Sequence, residues 1–369
     1  MKMLAFLSVA LLIYGSLHLY ALCKVWSAFP HSLGLGLALV FCGAAMTFSP
    51  LITWFLGKQQ WHGAFAAASW AAYVWMGYLF LFCCIALVFD LAHAVLSLLG
   101  YDWRLHGSAA LLAMAVPALA LAGYAIFDAR QLTVKELKIA TAKMPAGRLT
   151  IAQISDLHLG VMLGAGFLDR VITQLREARP DIIVATGDII DGQGDSLDQL
   201  ALRFRALHPP MGAYAVIGNH EYFAGLDTSL RFFRLAGFTV LRGEAVSVGG
   251  IILAGVDDPT AGGNAQQISA DTRKALIAAR QNAFTVLLKH QPVVDNDIPF
   301  DLQLSGHVHG GQIFPFGMLT LLTYHVLAGV YPYDSERTLY VNRGAGTWGP
   351  PMRLFAPPEI TMITIEGGR

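Results

Sequence analysis

The chain has 369 residues, which is long enough for two domains, and 55% of them are hydrophobic while only 14% are charged. Its 25 basic and 25 acidic residues balance, so no nucleic-acid partner is expected, because such proteins carry a basic surplus. Only six of these charged residues lie within residues 1–127. The charge distribution argues against a chain that is soluble throughout. It predicts an apolar domain, 1–127, followed by a soluble domain, 128–369.

Four stretches of the apolar domain have the length of a membrane span, about 20 residues. They cover roughly residues 3–22, 33–56, 65–89 and 108–127. The first could instead be a secretory signal, but no small-x-small cleavage pattern precedes Lys24, and three further apolar stretches follow. We expect a four-helix transmembrane bundle in the lipid bilayer. Residues 90–99 are expected at the interface, because Asp90 and His93 interrupt the third stretch.

Four spans would put both termini on the same side of the membrane. That side carries most of the basic residues near the spans, and the other side carries Lys24 and Arg104. Basic residues favour the cytoplasmic side, so we expect a multi-pass inner-membrane protein with a cytoplasmic soluble domain. The basic residues on the predicted cytoplasmic side are Lys2, Lys58, Arg130, Lys135, Lys138 and Lys143.

The soluble domain alternates strand-like and helix-like segments. Apolar residues at helical spacing predict helices over 167–178 and 228–238. Short β-branched runs bounded by Gly, Pro and Asp predict strands between them. This alternation favours an α/β or mixed α+β layered fold. The predicted strand segments, several with their following loop, are 132–140, 148–156, 181–188, 212–221, 250–259, 283–292, 302–311, 338–347 and 359–367.

Polar clusters follow five of the predicted strands. They read SDLH, TGDIID, GNHE, KHQP and SGHVH. Ligands of such sheets bind beyond the carboxyl ends of the strands, so the five clusters are expected to converge on one site. His307 and His309, one residue apart, are expected to face the same way at a strand end. The candidate residues are Asp156, His158, Asp188, Asn219, His220, His290, His307 and His309.

Carboxylate, amide and imidazole ligands in this mixture suit Zn, Mn, Fe, Co or Ni. The ligands are too many for one tetrahedral ion and suit two divalent ions that share a carboxylate. Such a pair lowers the pKa of a water held between the ions toward neutrality, which provides a hydroxide able to attack phosphorus. The pattern therefore predicts two divalent metal ions and a phosphoester substrate.

The motifs D-x-H at 156–158, G-D-x-x-D at 187–191, G-N-H-E at 218–221, K-H at 289–290 and G-H-x-H at 306–309 resemble, in order and approximate spacing, the calcineurin-like metallophosphoesterase family. The resemblance covers residues 130–369 and is closest to the membrane-linked branch of the family. It implies a four-layer α/β/β/α sandwich with the metals at the strand ends. It also implies a metal-dependent phosphoric ester hydrolase, and some relatives in that branch act on lipid-linked phosphoesters.

The resemblance also implies roles for single residues. Asp188 would bridge the two ions, and His220 would contact the phosphate and protonate the leaving oxygen, although it could instead be a ligand. Asp191 would orient an imidazole from outside the ligand set. The first ion would be bound by Asp156, His158 and His309, and the second by Asn219, His290 and His307.

One departure from the family limits the inference. Protein phosphatases of the family have an arginine after the G-D motif, whereas residues 192–194 here read Gly-Gln-Gly. A protein-phosphatase role is therefore disfavoured, and Arg343 is the candidate for a phosphate contact. Asp257 and Asp258, which also follow a strand, are interpreted as turn residues, with an acid outside the ligand set as the alternative.

Two functional readings remain open at this point. The first is a membrane-anchored hydrolase of a monoester, diester or pyrophosphate, with a lipid-linked substrate as one option. The second is a membrane sensor or scaffold that binds a ligand without turnover; the full ligand set together with His220 favours the enzyme. The apolar segment 313–331 is either a loop that covers the sheet or a lid that touches the bilayer.

Overall fold

The computed structural model describes residues 2–58, 62–101, 105–191, 197–262, 264–279 and 282–368. The chain divides into two compact units, Met1–Phe127 with Gly349–Met352, and Asp128–Trp348 with Arg353–Arg369. Arg104 and residues 192–194, on which two of the expectations above depend, lie outside the described residues.

Within the part that the structure describes, the regular secondary structure of the first unit is helical. Within the described residues, three helices are long and apolar enough to cross a membrane, Ser8–Ala28, Phe65–Leu98 and Gly107–Asp128. Tyr14, Phe82 and Met114 bring these three helices together in one apolar cluster. The helices of the unit are α1 (Lys2–Ala28), α2 (Leu33–Thr47), α3 (Ser49–Lys58), α4 (His62–Leu98) and α5 (Gly107–Asp128).

The second predicted span differs from the expectation. It is two helices, α2 and α3, with Phe48 as the C-cap of α2. Pro50 lies at the start of α3, where the missing N–H of proline is tolerated. With 15 residues, α2 is shorter than the length that crosses a bilayer unaided. The stretch 33–56 is therefore interrupted at Phe48 rather than being one continuous helix, and whether it crosses the membrane stays a prediction.

The third predicted span is longer than expected. Helix α4 continues without a break through residues 90–98, because Asp90 has partners inside the unit. Lys24 Nζ on α1 lies 2.6 Å from Asp90 Oδ2, and Tyr20 donates to the same oxygen at 2.6 Å. A paired carboxylate is far less costly in an apolar surrounding than an isolated one, so Asp90 does not end the helix.

The second unit contains two six-stranded sheets, with orders β1-β12-β2-β3-β4-β5 and β10-β11-β9-β8-β7-β6. Strand β3 lies between parallel partners and is buried on both faces, which explains its continuous apolar run IIVAT. The strands are β1 (Thr133–Thr141), β2 (Gly147–Ile154), β3 (Ile182–Thr186), β4 (Ala213–Val216), β5 (Phe238–Val240), β6 (Glu244–Val248), β7 (Ile251–Val256), β8 (Thr285–Lys289), β9 (Leu302–Ser305), β10 (Gly329–Pro332), β11 (Thr338–Val341) and β12 (Glu359–Gly367).

The two sheets pack face to face, with Ile151 and Val184 of the first in one cluster with Leu253 and Leu288 of the second. Helices α6, α7 and α9 cover the other face of the first sheet. Leu276 of α10 packs on the other face of the second sheet. The helices of this unit are α6 (Ala165–Ala178), α7 (Leu197–Arg205), α8 (Asn219–Ala224), α9 (Leu226–Ala236), α10 (Asn264–Ala279) and α11 (Gly317–Tyr324).

The sequence pattern located the central strands and helices α6 and α9, but it missed peripheral elements. The segment after β4, expected to be a loop, is helix α8 and begins at Asn219. Strands β5, β6 and β10 lie at or next to sheet edges, where half-exposed residues weaken the alternation that marks a strand. The two sheets and the helices beside them form a mixed α/β fold.

Candidate metal centre

The candidate residues lie beyond the carboxyl ends of five strands. Strands β2, β3 and β4 are parallel neighbours in the first sheet, and β8 and β9 are parallel neighbours in the second. Each of the seven predicted metal ligands follows one of these strands by no more than four residues. Because the sheets pack face to face, their strand ends bring the ligands to a common edge.

The first group of converging side chains contains Asp156, His158 and His309. One potential ligand atom from each lies within 4.8 Å of the others. The Nε2 atoms of His158 and His309 are 3.1 Å apart, and His309 Nε2 lies 3.4 Å from Asp156 Oδ1. All three residues are buried or nearly so, so these polar atoms have little access to water.

The second group contains Asp188, His290 and His307. His290 Nε2 lies 3.1 Å from Asp188 Oδ2 and 3.1 Å from His307 Nδ1. Asn219 adds a fourth potential ligand, because its Oδ1 lies 3.2 Å from the same His290 nitrogen. The second group therefore offers a carboxylate, an amide oxygen and two imidazoles.

The tautomer of His290 shows whether the second group fits a metal ion. His290 Nδ1 lies 2.8 Å from the carbonyl oxygen of Thr186, so Nδ1 carries a proton and donates it. In the neutral ring, Nε2 then presents a lone pair to the oxygens of Asp188 and Asn219. Converging lone pairs in a buried site repel one another unless a cation lies between them. The second group therefore fits a metal ion.

Asp191 fixes the tautomer of His158 in the first group, as the Thr186 carbonyl fixes that of His290 in the second. Its Oδ1 lies 2.7 Å from His158 Nδ1, so His158 Nε2 is the nitrogen available to an ion. The same oxygen lies 2.9 Å from His220 Nδ1. The backbone N–H of His220 donates to Asp188 Oδ1 at 2.9 Å. Asp191 thus connects His220 to the first group, and Asp188 connects it to the second.

Charge balance supports the same conclusion. Burial lowers the pKa of His158, but the Asp191 carboxylate and its hydrogen bond outweigh burial and raise that pKa to about 9. Burial, and then His158, hold the pKa of His309 well below its usual value. A carboxylate partner likewise raises the pKa of His290, whereas burial and His290 lower the pKa of His307 to about 4. The carboxylates of each group thus favour a positive charge among the imidazoles, and a divalent ion would supply such a charge.

The backbone at these positions adopts an unusual conformation. A positive φ is uncommon outside glycine and costs on the order of 1–3 kcal/mol, and such strain clusters at functional sites. Gly187 has φ +90, and a Cβ there would lie 2.6 Å from His290 Nδ1, which leaves no room for another residue. Five candidate ligands have positive φ, namely Asp156 (51°), His158 (48°), Asp188 (54°), His307 (71°) and His309 (51°).

The expectation that His307 and His309 share one side of a strand end is wrong. Strand β9 ends at Ser305, and both histidines lie in the turns that follow it, with left-handed backbone. Left-handed residues break the strand alternation, so the two imidazoles point to different groups. His307 joins Asp188, and His309 joins Asp156.

Glu221, which sequence reasoning did not select, organises the loops of the site. It is completely buried, and its carboxylate accepts four backbone N–H groups, those of Gly218, Asp188, Ile189 and Ile190, at 2.7–3.1 Å. Burial and the nearby Asp188 raise its pKa to about 6. The GNHE motif contains this glutamate, but the motif alone points to the histidine before it and gives the glutamate no separate role.

Other candidates have different partners. The Arg343 guanidinium is paired with Glu359, with Nε and Nη2 each 2.6 Å from its Oε2, so these two donors already have a carboxylate partner. A phosphate contact by Arg343 stays a prediction. Asp257 accepts from Tyr222 and Arg242, and Asp258 accepts from Gln291. These contacts of the two acids fix loops around the site.

The apolar segment 313–331 contains helix α11 and most of strand β10. Sequence reasoning assigned no site residue to it. Nevertheless, Tyr324 at the end of α11 places its hydroxyl 2.7 Å from His307 Nε2. An isolated tyrosine in an apolar run gives no sequence signal for such a contact.

Comparison with known proteins identifies the family. The family model of calcineurin-like phosphoesterases matches residues 149–311, which include all seven candidate ligands and His220. A metallophosphoesterase of Aquifex aeolicus is 39% identical over 255 residues, covering 68% of this chain and 98% of that protein. One from Campylobacter jejuni is 31% identical over 289 residues, covering 76% of this chain and 77% of that protein.

A relative from Danio rerio, named transmembrane protein with metallophosphoesterase domain, is 30% identical over 267 residues, covering 67% of this chain and 60% of that protein. Together with the three apolar helices, this relationship indicates that the chain is a membrane protein. The chain belongs to the calcineurin-like metallophosphoesterase family, and it is a metal-dependent phosphoester hydrolase.

Proposed function

We propose that this protein is a membrane-anchored hydrolase that binds two divalent metal ions and cleaves a phosphoester or pyrophosphate bond. The observation that carries the proposal is the pair of buried ligand groups, each with nitrogen and oxygen lone pairs converging within 4.8 Å. A scaffold that only bound a ligand would not need a histidine beside these groups that is oriented by Asp191.

The two ions would be held by different residues. Asp156, His158 and His309 would bind the first, and Asn219, His290 and His307 the second. Asp188 would be shared, which its contacts with His290 and with the backbone of His220 support. When bound, the ions would supply a water of lowered pKa and would neutralise phosphate charge. Mn, Fe, Zn, Co and Ni are all compatible with this ligand set.

His220 would act on the leaving group. Water adds to phosphorus as the bond from phosphorus to the leaving oxygen breaks, and that oxygen takes a proton from His220. Asp191 holds His220 by Nδ1, so Nε2 is the nitrogen that would carry this proton. The proton lost by the water replaces the one that His220 delivers, so the reaction is balanced.

A lipid-linked substrate is proposed from the surface of the catalytic unit. Four apolar side chains that follow the ligand His309 by five to thirteen residues are between 51% and 75% exposed, namely Phe314, Phe316, Met318 and Leu322. Exposed apolar patches of this kind mark contacts with lipid or with other proteins. Only four residues separate the end of α5 from the start of β1, so the chain leads directly from an apolar helix into the catalytic unit.

The same proposal includes a topology and an architecture. Residues 1–127 would form the membrane domain with four passes, α2 and α3 together making the second, and residues 128–369 would form a four-layer α/β/β/α catalytic domain. The inner membrane would be the location, with the catalytic domain in the cytoplasm. The excess of lysine and arginine near the spans on the side of the termini supports this orientation.

Hydrolysis by the full-length protein in nanodiscs tests the proposal. Bis(p-nitrophenyl) phosphate and p-nitrophenyl phosphate would be assayed against a panel of divalent metals, beside Asp188→Asn. We expect metal-dependent turnover that this variant loses. Two bound ions with no turnover of either substrate under any metal would instead favour the ligand sensor.

A further inference from the structure

Two aromatic side chains flank His220. The ring of Phe223 lies 5.5 Å from the imidazole centroid, and the ring of Trp348 lies 5.6 Å from it. Both meet the imidazole at a steep angle, 74° and 75°. Phe223 is 71% exposed and Trp348 is 54% exposed, so each presents apolar surface to solvent beside the same histidine.

Each ring is held in place by a separate structural element. Phe223 is three residues after His220 on helix α8, a spacing that puts both on one face of the helix. Trp348 lies in a loop whose backbone is bound by Gln312, which accepts from the Trp348 N–H at 3.0 Å and donates to its carbonyl at 2.9 Å. Gln312 follows the ligand His309 by three residues, so the metal-binding loop itself positions the indole.

One ring nitrogen of His220 is engaged by a carboxylate, and the other is the one available to a substrate. Asp191 engages Nδ1, and within the described part of the chain no hydrogen bond to Nε2 is seen. The leaving oxygen must approach Nε2 to receive its proton, and the group attached to that oxygen must then lie next to the two rings. Aromatic rings bind planar or apolar groups and exclude water, so they select what the leaving oxygen carries.

We propose that Phe223 and Trp348 form the leaving-group subsite of this enzyme and that it binds an alcohol whose body is apolar. The inference rests on the proposed function, in which His220 protonates the leaving oxygen. The shared chemistry is an apolar group attached next to the ester oxygen, and it could belong to an aryl ring or to an alkyl chain of a lipid.

Two substrate pairs with matched leaving-group acidity test the subsite and separate the two sources. The aryl pair is 2-naphthyl phosphate and phenyl phosphate, and the alkyl pair is hexyl phosphate and ethyl phosphate. The full-length protein in nanodiscs is compared with Phe223→Ala and Trp348→Ala. Tyr333→Ala serves as the control, because Tyr333 is an exposed aromatic far from the ligands in the sheet. It directly follows β10, which is antiparallel to β11, and so lies beside the amino end of β11, opposite to the strand ends that carry the ligands.

We expect the wild-type protein to prefer the larger member of at least one pair in kcat/KM. Each of the two alanine variants should reduce that preference about fivefold, mainly through KM, with metal content unchanged. Tyr333→Ala should retain the preference. The pair that shows the effect identifies an aryl or an alkyl leaving group.

Turnover of all four substrates with preferences that Phe223→Ala and Trp348→Ala leave intact would overturn the subsite while leaving the proposed function standing. An absence of turnover in the wild-type protein with both ions bound would overturn the proposed function itself. Should an alanine variant lose its metal, Trp348→Phe and Phe223→Leu would replace it, and retention of the full preference in both would count against the subsite.

Discussion

The hydroxyl of Tyr324 lies 2.7 Å from His307 Nε2, while the other ring nitrogen of His307 faces His290 at 3.1 Å. If Nδ1 binds an ion, Nε2 carries the proton and donates it to the Tyr324 oxygen. The tyrosine would then fix both the tautomer and the orientation of the ring. The contact connects the apolar helix α11 to the second ligand group.

Replacing this hydroxyl should weaken one metal site. Tyr324→Phe removes the acceptor of His307 but keeps the ring, and loss of such an outer partner costs about 10–100-fold in metal affinity. We expect a weaker second ion and an unchanged first ion in a Mn titration of the full-length protein. Tyr214→Phe is the matched control, because the Tyr214 hydroxyl donates to the carbonyl of Met211, which is not part of either ligand group. Equal affinities in Tyr324→Phe and wild type would show that the contact has no such role.

His220 can be distinguished from a ligand by separating turnover from metal content. His220→Ala should reduce kcat by about 10²–10⁴-fold, the usual contribution of a general acid, while both ions remain bound. The measurement pairs steady-state kinetics with metal analysis of the same sample. Loss of one equivalent of metal would instead assign His220 to the ligand set.

Glu221 should matter for stability more than its position outside the ligand set suggests. Glu221→Ala leaves four buried backbone N–H groups without their acceptor, and each such group costs about 1–3 kcal/mol. We expect the free energy of unfolding to fall by about 3 kcal/mol or more. Glu221→Gln, which keeps one acceptor oxygen, should lie between the alanine variant and wild type. Equal melting temperatures for all three proteins would refute this account of Glu221.

Much of the site could be predicted because the sequence marks where the buried strands end. A short buried run such as IIVAT followed by Gly187 and Asp188 marks both a central strand and the position of its carboxyl end. The structure brings all seven candidate ligands to one edge, as that pattern suggests. The assignment of each to a particular ion remains a prediction.

Side-chain direction after a strand end could not be predicted. The opposed directions of His307 and His309 depend on left-handed backbone at both residues, which strand alternation does not anticipate. Contacts between loops that are distant in sequence could not be predicted either. The hydrogen bonds between Gln312 and Trp348 are an example. The break between α2 and α3 was missed because apolar composition continues through Pro50.

The orientation of the protein can be tested by reporter fusions. A reporter joined after Arg369 and another in the loop between α1 and α2 should give opposite results, with the first in the cytoplasm. The reason is the excess of basic residues on the side of the termini. Both reporters on the same side would mean that an even number of crossings follows the loop, so that α2 and α3 do not together make a pass. An extracytoplasmic signal at Arg369 would contradict the proposed orientation.

The most direct test of the central claim is the number of metal ions bound by the full-length protein, measured by elemental analysis beside its turnover. The account predicts two ions per chain in wild type and about one in His309→Ala. In Asp188→Asn it predicts loss of at least one ion and a fall in kcat of about 10²-fold or more. Full turnover by a protein that holds a single ion, or an Asp188→Asn variant that keeps both ions and full activity, would contradict it.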